Sequence, residues 1–139
     1  MLKNDASTLK EFFGDNLNGS NNHAMFSSYS SWLFQALGGI TVAEEAVGAD
    51  VILISPSFTD TINFVDCWHH TIRGRIECRW RRYKKGIELV IKVPFNLKKC
   101  TLKLPKVYQL NKQLPAPIDC DTYHHFYDIT DAGEIKVLL

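Results

Sequence analysis

The segments Ile76-Glu77-Cys78-Arg79-Trp80-Arg81 and Ile87-Glu88-Leu89-Val90-Ile91-Lys92-Val93 set the architecture of this chain. In the first, Ile76, Cys78 and Trp80 alternate with Arg75, Glu77, Arg79 and Arg81. In the second, Ile87, Leu89, Ile91 and Val93 alternate with Glu88 and Lys92. A period of two sends successive side chains to opposite faces, so both segments read as strands with an apolar inner face and a polar outer one. Lys84-Lys85-Gly86 between them supplies the turn of a hairpin. Similar runs flank the pair: Val51 to Ile54, Ile62 to Ile72, Cys100 to Leu104, Val107 to Leu110, Tyr123 to Ile129 and Ile135 to Leu139. Roughly seven short strands, punctuated by Pro56, Pro94, Pro105, Pro115 and Pro117, describe an antiparallel β-sandwich over residues 51–139.

Before this region the period changes. From His23 to Gly38, Met25, Phe26, Tyr29, Trp32, Leu33, Ala36 and Leu37 recur at spacings of three and four, the stripe of an amphipathic helix. Ser20, Asn21 and Asn22 offer N-caps, and Gly38-Gly39 marks the stop. A shorter helix is expected over Ala6 to Phe13, after an Asp5 cap. The reading is thus mainly β with N-terminal helices (α+β): a helical segment at 1–40, a linker at 41–50 and the sandwich at 51–139.

With 139 residues, 45% hydrophobic and 22% charged, the chain is long enough to bury one substantial core. A net charge of +1 gives no global electrostatic footprint for nucleic acid or an anionic membrane. No apolar run approaches the roughly 20 residues needed to span a bilayer, and no signal peptide is evident, so the chain as given reads as cytoplasmic or as a fragment whose targeting sequence lies elsewhere. Cys67, Cys78, Cys100 and Cys120 form no C-x-x-C pair and read as reduced, mostly buried thiols. The doublets His69-His70 and His124-His125 point to opposite faces of a strand, so no metal and no cofactor is expected. Arg73, Arg75, Arg79, Arg81, Arg82, Lys84 and Lys85 read as the outward face of the hairpin rather than a phosphate site.

The chemistry-bearing pattern lies at the start, where Glu11 and His23 flank a polar loop backed by aromatics. A carboxylate that activates water, polar groups that hold hydroxyls and rings that cover apolar sugar faces are the parts of a sugar-processing site. Ser7-Thr8-Leu9-Lys10-Glu11-Phe12-Phe13-Gly14, Gly19-Ser20-Asn21-Asn22-His23-Ala24-Met25-Phe26 and Trp32-Leu33-Phe34-Gln35-Ala36-Leu37-Gly38-Gly39-Ile40 resemble the end of the catalytic (α/α)6 barrel of α-L-rhamnosidases. Pro56, Gly74 to Trp80, Leu89 to Val93, and Val93-Pro94-Phe95-Asn96 to Leu104-Pro105 are similar to that family's C-terminal β-sandwich.

The resemblance implies inverting hydrolysis of terminal α-L-rhamnose, with Glu11 at the general-base position and His23, Asn22 and Trp32 as substrate-binding residues. An inverting pair of carboxyl groups stands about 6.5–9.5 Å apart, leaving room for water. Lys10 stands where the family has an aromatic, and Phe13 where it has a Trp. The family's general acid lies upstream of the matching segment, so the chain is expected not to be catalytic alone. The plain alternatives are a solvated helix carboxylate for Glu11, a helix-terminus residue for His23 and an interface aromatic for Trp32.

Three functional expectations follow. The first is a C-terminal fragment of an α-L-rhamnosidase-like glycoside hydrolase, whose full-length partner is a rhamnose-containing glycan. The second is a non-catalytic β-sandwich module that binds carbohydrate or protein. The third is a homodimer formed through the helical segment.

Overall fold

The computed structural model describes residues 29–108 and 114–139. The chain divides into two compact units, Met1–Leu33 and Phe34–Leu139. Of the first unit, Tyr29–Leu33 is described and forms an α-helix, α1. The Ala6 to Phe13 segment and the first turns of the Ala24 to Leu37 run lie outside the described residues. The second unit opens with a π-helical turn, Phe34–Gly38. It stops at the two glycines, as the sequence predicts, with Gly39 at φ 71°. A Cβ at Gly38 would overlap Cys67 Sγ, and one at Gly39 would overlap the backbone of Ser55 and Pro56. Both positions therefore require the absence of a side chain.

Nine strands follow among the described residues: β1 (Ile40–Val42), β2 (Val51–Ile54), β3 (Phe64–Thr71), β4 (Gly74–Tyr83), β5 (Gly86–Lys92), β6 (Lys99–Pro105), β7 (Asp119–Cys120), β8 (His124–Asp128) and β9 (Glu134–Leu138). They form a four-stranded sheet, β3-β4-β5-β9, and a five-stranded sheet, β1-β2-β6-β8-β7. The alternation read from sequence carries through. Ile76, Cys78 and Trp80 of β4 and Ile87, Leu89 and Ile91 of β5 point inward, opposite Ile52, Ile54, Cys100, Leu102 and Leu104 of the other sheet. One buried cluster joins the two inner faces, as in a β-sandwich. Cys67, Cys78 and Cys100 are buried free thiols and Cys120 is exposed. Burial, because the thiolate would have to leave water, and then the nearby Asp128 charge push the Cys100 thiol up to about 12.

The four-stranded sheet is antiparallel throughout, with Tyr83 paired to Gly86 across the expected Lys84-Lys85 turn. The five-stranded sheet departs from the antiparallel expectation at one joint. β2 and β6 run parallel, with Ile52 opposite Cys100 and Ile54 opposite Leu102. Parallel neighbours need a crossover, and here it is made by β3, β4 and β5 in the opposite sheet. Two further differences are local. β1 pairs antiparallel with β2, so the segment expected as linker at 41–50 opens inside a strand. Val107, expected to start a strand, instead lies in a turn closed by the Tyr108 amide donating to the Pro105 carbonyl at 3.2 Å. No helix among the described residues is long and apolar enough to cross a membrane.

Candidate functional site

Of the residues the sequence singles out for sugar chemistry, Glu11, Asn22 and His23 lie outside the described residues. Trp32 lies on α1, with 62% of its surface exposed. The described residues build a different site, at the end of the five-stranded sheet where β2 and β6 finish side by side and β8 begins.

The parallel joint is its cause. Because β2 and β6 run in the same direction, the chain leaving β2 at Ser55 and the chain leaving β6 at Pro105 emerge at the same end of the sheet. β8 is antiparallel to β6, with Pro105 opposite His124, so its first residue arrives at that end too. The three segments enclose a cleft of about 320 Å³. Its polar lining comes from Ser55, Ser57, Thr59, Tyr108 and His124, and its apolar lining from Phe58, Val107 and two prolines.

Each wall is held by identifiable contacts. The Phe58 ring meets Trp80 edge-on at 5.5 Å and Tyr108 edge-on at 5.2 Å. Trp80 is itself 1% exposed, and its indole N–H donates to the Leu37 carbonyl at 3.2 Å, giving a buried donor the partner it requires. Arg82 Nη2 donates to the carbonyls of Phe58 (3.4 Å) and Thr59 (3.1 Å) and faces Asp60 at 3.4 Å. Arg82 thus turns away from the outward basic face assigned to it by sequence and fastens the 58–60 loop. Arg73 is likewise a staple, donating to the carbonyls of Val47, Gly48 and Asn96. Of that basic set, Arg75 and Arg79 meet Glu77 on the outer face, at 3.0 and 3.6 Å.

His124 is oriented by Asp121. The Asp121 carboxylate accepts the backbone N–H groups of Tyr123 at 2.7 Å and His124 at 2.6 Å, and both its oxygens lie 3.1 Å from His124 Nδ1. The Tyr123 amide, then those of the His124 backbone and ring, hold the Asp121 carboxyl below the usual carboxylate range. A carboxylate accepts and does not donate, so Nδ1 carries a proton toward Asp121, and Nε2 is the ring nitrogen that Asp121 does not engage. His125, the next residue, turns to the opposite side and meets Tyr127 edge-on at 6.2 Å, as alternation requires.

Sequence reading missed this site because its three segments are far apart in the chain. The available signals were the Ser55-Pro56-Ser57-Phe58-Thr59 run, polar and aromatic between two strands, and the Asp121-to-His124 spacing of an Asx turn.

Comparison with known proteins places this sandwich. The chain is 28% identical over 75 residues to an alpha-L-rhamnosidase of Formosa agariphila, covering 54% of this chain and 8% of that protein. It is 28% identical over 90 residues to an alpha-L-rhamnosidase of an Alteromonas species, covering 65% of this chain and 10% of that protein. It therefore spans about a tenth or less of these relatives. Its fold is similar to parts of two solved structures. One is the alpha-L-rhamnosidase from Dictyoglumus thermophilum (TM-score 0.71, 19% identity, 86% of this chain and 14% of that one). The other is the Streptomyces avermitilis alpha-L-rhamnosidase complexed with L-rhamnose (TM-score 0.71, 18% identity, 87% and 12%). Residues 41–115 match the family of bacterial alpha-L-rhamnosidase C-terminal domains, and over that half of its length, which holds β2 to β6, the chain belongs to this family.

Proposed function

We propose that this chain is the C-terminal portion of an α-L-rhamnosidase-like glycoside hydrolase and that it does not cleave glycosides by itself. The observation that carries the reading is the family match over the strands that build the core, in relatives roughly ten times longer than the matched region. Hydrolysis with inversion needs two carboxyl groups on either side of a sugar ring. The cleft lining named above contains hydroxyls, an imidazole and apolar groups, with no carboxylate. Its role is accordingly structural support and substrate contact for a catalytic barrel, in which Glu11 occupies the position of the base and His23, Asn22 and Trp32 that of sugar contacts.

A second reading, self-association through the helical segment, is favoured by the exposure of Trp32 and Leu33 on α1. A molar mass in solution above that of one chain, reduced by Trp32→Ser, supports it; a strictly monomeric mass removes it.

The test of the main reading is hydrolysis of an aryl α-L-rhamnoside by the purified chain. No release of the aryl alcohol above the enzyme-free rate is expected. Turnover that Glu11→Gln abolishes would contradict it.

A further inference from the structure

We infer that the cleft between the 55–59 loop, the 105–108 turn and His124 is a binding site for one neutral sugar unit, with His124 and Tyr108 as its principal hydrogen-bonding groups. The ligand class rests on reading the chain as part of a glycan-hydrolysing enzyme; the site rests on its own geometry.

The volume, about 320 Å³, lies at the small end of the roughly 300–1,000 Å³ of small-molecule sites, enough for a single ring. The chemistry of the lining selects a neutral, hydroxylated ligand. Ser, Thr and Tyr hydroxyls both donate and accept, and His124 adds a ring nitrogen, which matches the mixed donor and acceptor character of sugar hydroxyls. Among the described residues the lining holds no lysine or arginine to neutralise a phosphate or carboxylate, and no carboxylate to attract an amine. Phe58, Val107 and the two prolines supply the apolar surface that the C–H face of a pyranose covers.

The groups are also positioned in advance. Trp80 and Tyr108 fix the Phe58 ring, Arg82 fixes its loop, and Asp121 fixes the His124 ring and its proton. A ligand entering such a cleft orders few side chains, so less affinity is lost on binding. The exposed Tyr123 ring, edge-on to His124 at 6.5 Å, extends the rim where a second sugar unit of a glycan would lie.

Two surfaces among the described residues compete with it: a cleft of about 360 Å³ whose lining includes the carboxylates of Asp128 and Asp131, which suit a cation better than a neutral sugar, and the Trp68 ring. Trp68 is half exposed on the outer face of the four-stranded sheet, but the Arg75 guanidinium stands over its ring at 4.9 Å. The face that would stack on sugar is already occupied.

The experiment is an amide-shift titration of the isotope-labelled 139-residue chain with methyl α-L-rhamnoside. Saturable shifts in the millimolar range are expected at Ser57 to Thr59, Val107 to Tyr108 and Tyr123 to His124. His124→Ala and Tyr108→Phe should each weaken binding roughly tenfold, about what one ordinary hydrogen bond supplies. Trp68→Ala should leave binding unchanged. Should His124→Ala loosen the Asp121 turn, Tyr108→Phe and Ser57→Ala, which remove only hydroxyls, must still weaken binding. The site is overturned by an absence of saturable shifts, by shifts centred on Trp68, by unaltered binding in Tyr108→Phe and Ser57→Ala, or by tighter binding of a uronic acid than of the neutral glycoside. Any of these leaves the non-catalytic reading intact, since that reading stands or falls on the hydrolysis assay.

Discussion

The two sheets of this sandwich are built by different rules. The four-stranded sheet is largely local: β3, β4 and β5 are consecutive and joined by short turns, β9 alone joins from a distant part of the chain, and every pair is antiparallel. The five-stranded sheet is assembled from segments far apart in sequence, contains the parallel β2–β6 joint and ends in strands of three and two residues. Both sheets supply the buried inner wall in comparable measure, and the non-local sheet supplies the cleft. Function here sits where distant segments are brought together, and the hairpins act as the rigid backing.

Trp80 is where the two meet, and its removal gives the strongest break. Trp80→Ala empties a fully buried site, frees the Leu37 carbonyl and leaves the Phe58 ring without its support. A loss of about 3–5 kcal/mol is expected in denaturant unfolding. The cleft should then lose its sugar even where the fold survives. Leu102→Ala, buried in β6 opposite Ile54, tests the non-local sheet itself; a loss of about 2–5 kcal/mol is expected. A loss well under that range would mean the joint is loosely packed.

Gly39→Ala acts at the seam between the helical turn and the cleft loop. Its Cβ would press on the Ser55 and Pro56 backbone at a positive φ, and about 1–3 kcal/mol of destabilisation is expected. Amide shifts should spread to Ser57 and Phe58.

The buried thiols sharpen the comparison by pH. Cys100 has a folded pKa raised above its unfolded value, so its contribution is fully present below the unfolded value near 9 and is lost as pH rises toward about 12. Stability measured across that window should fall less steeply in Cys100→Val. An unchanged slope would show that the thiol is not buried as described. The smallest effect belongs to the outer face of the local sheet: Arg75→Ala breaks a half-exposed pair with Glu77, and at most about 1 kcal/mol is expected.

Legibility in the sequence follows the same division. The alternation from Ile76 to Val93 displays both the strands and their inward faces, because each hairpin's evidence lies within one short window. β2 is read with the bounds observed, and β9 within a residue at each end. β1 and β7 are too short to show a period, and β1 overlaps the segment taken for a linker. Val107 and Tyr108 look like the start of a strand because both are apolar, yet the Tyr108 ring is used against Phe58 across the cleft. Periodicity tells which face of β2 and β6 is buried; it does not tell which strand is the neighbour or in which direction it runs. The cleft depends on that missing information, so its residues could be seen singly and not as a site. Glu11, Asn22 and His23, legible by resemblance, lie outside the described residues.

The parallel joint can be measured by interstrand nuclear Overhauser contacts between β2 and β6 in the labelled chain. Contacts whose numbers rise together, Val51 with Lys99 through Ile54 with Leu102, are the expected result. Contacts whose numbers run in opposite directions would separate the Ser55 and Pro105 exits and dissolve the cleft, contradicting the site described here.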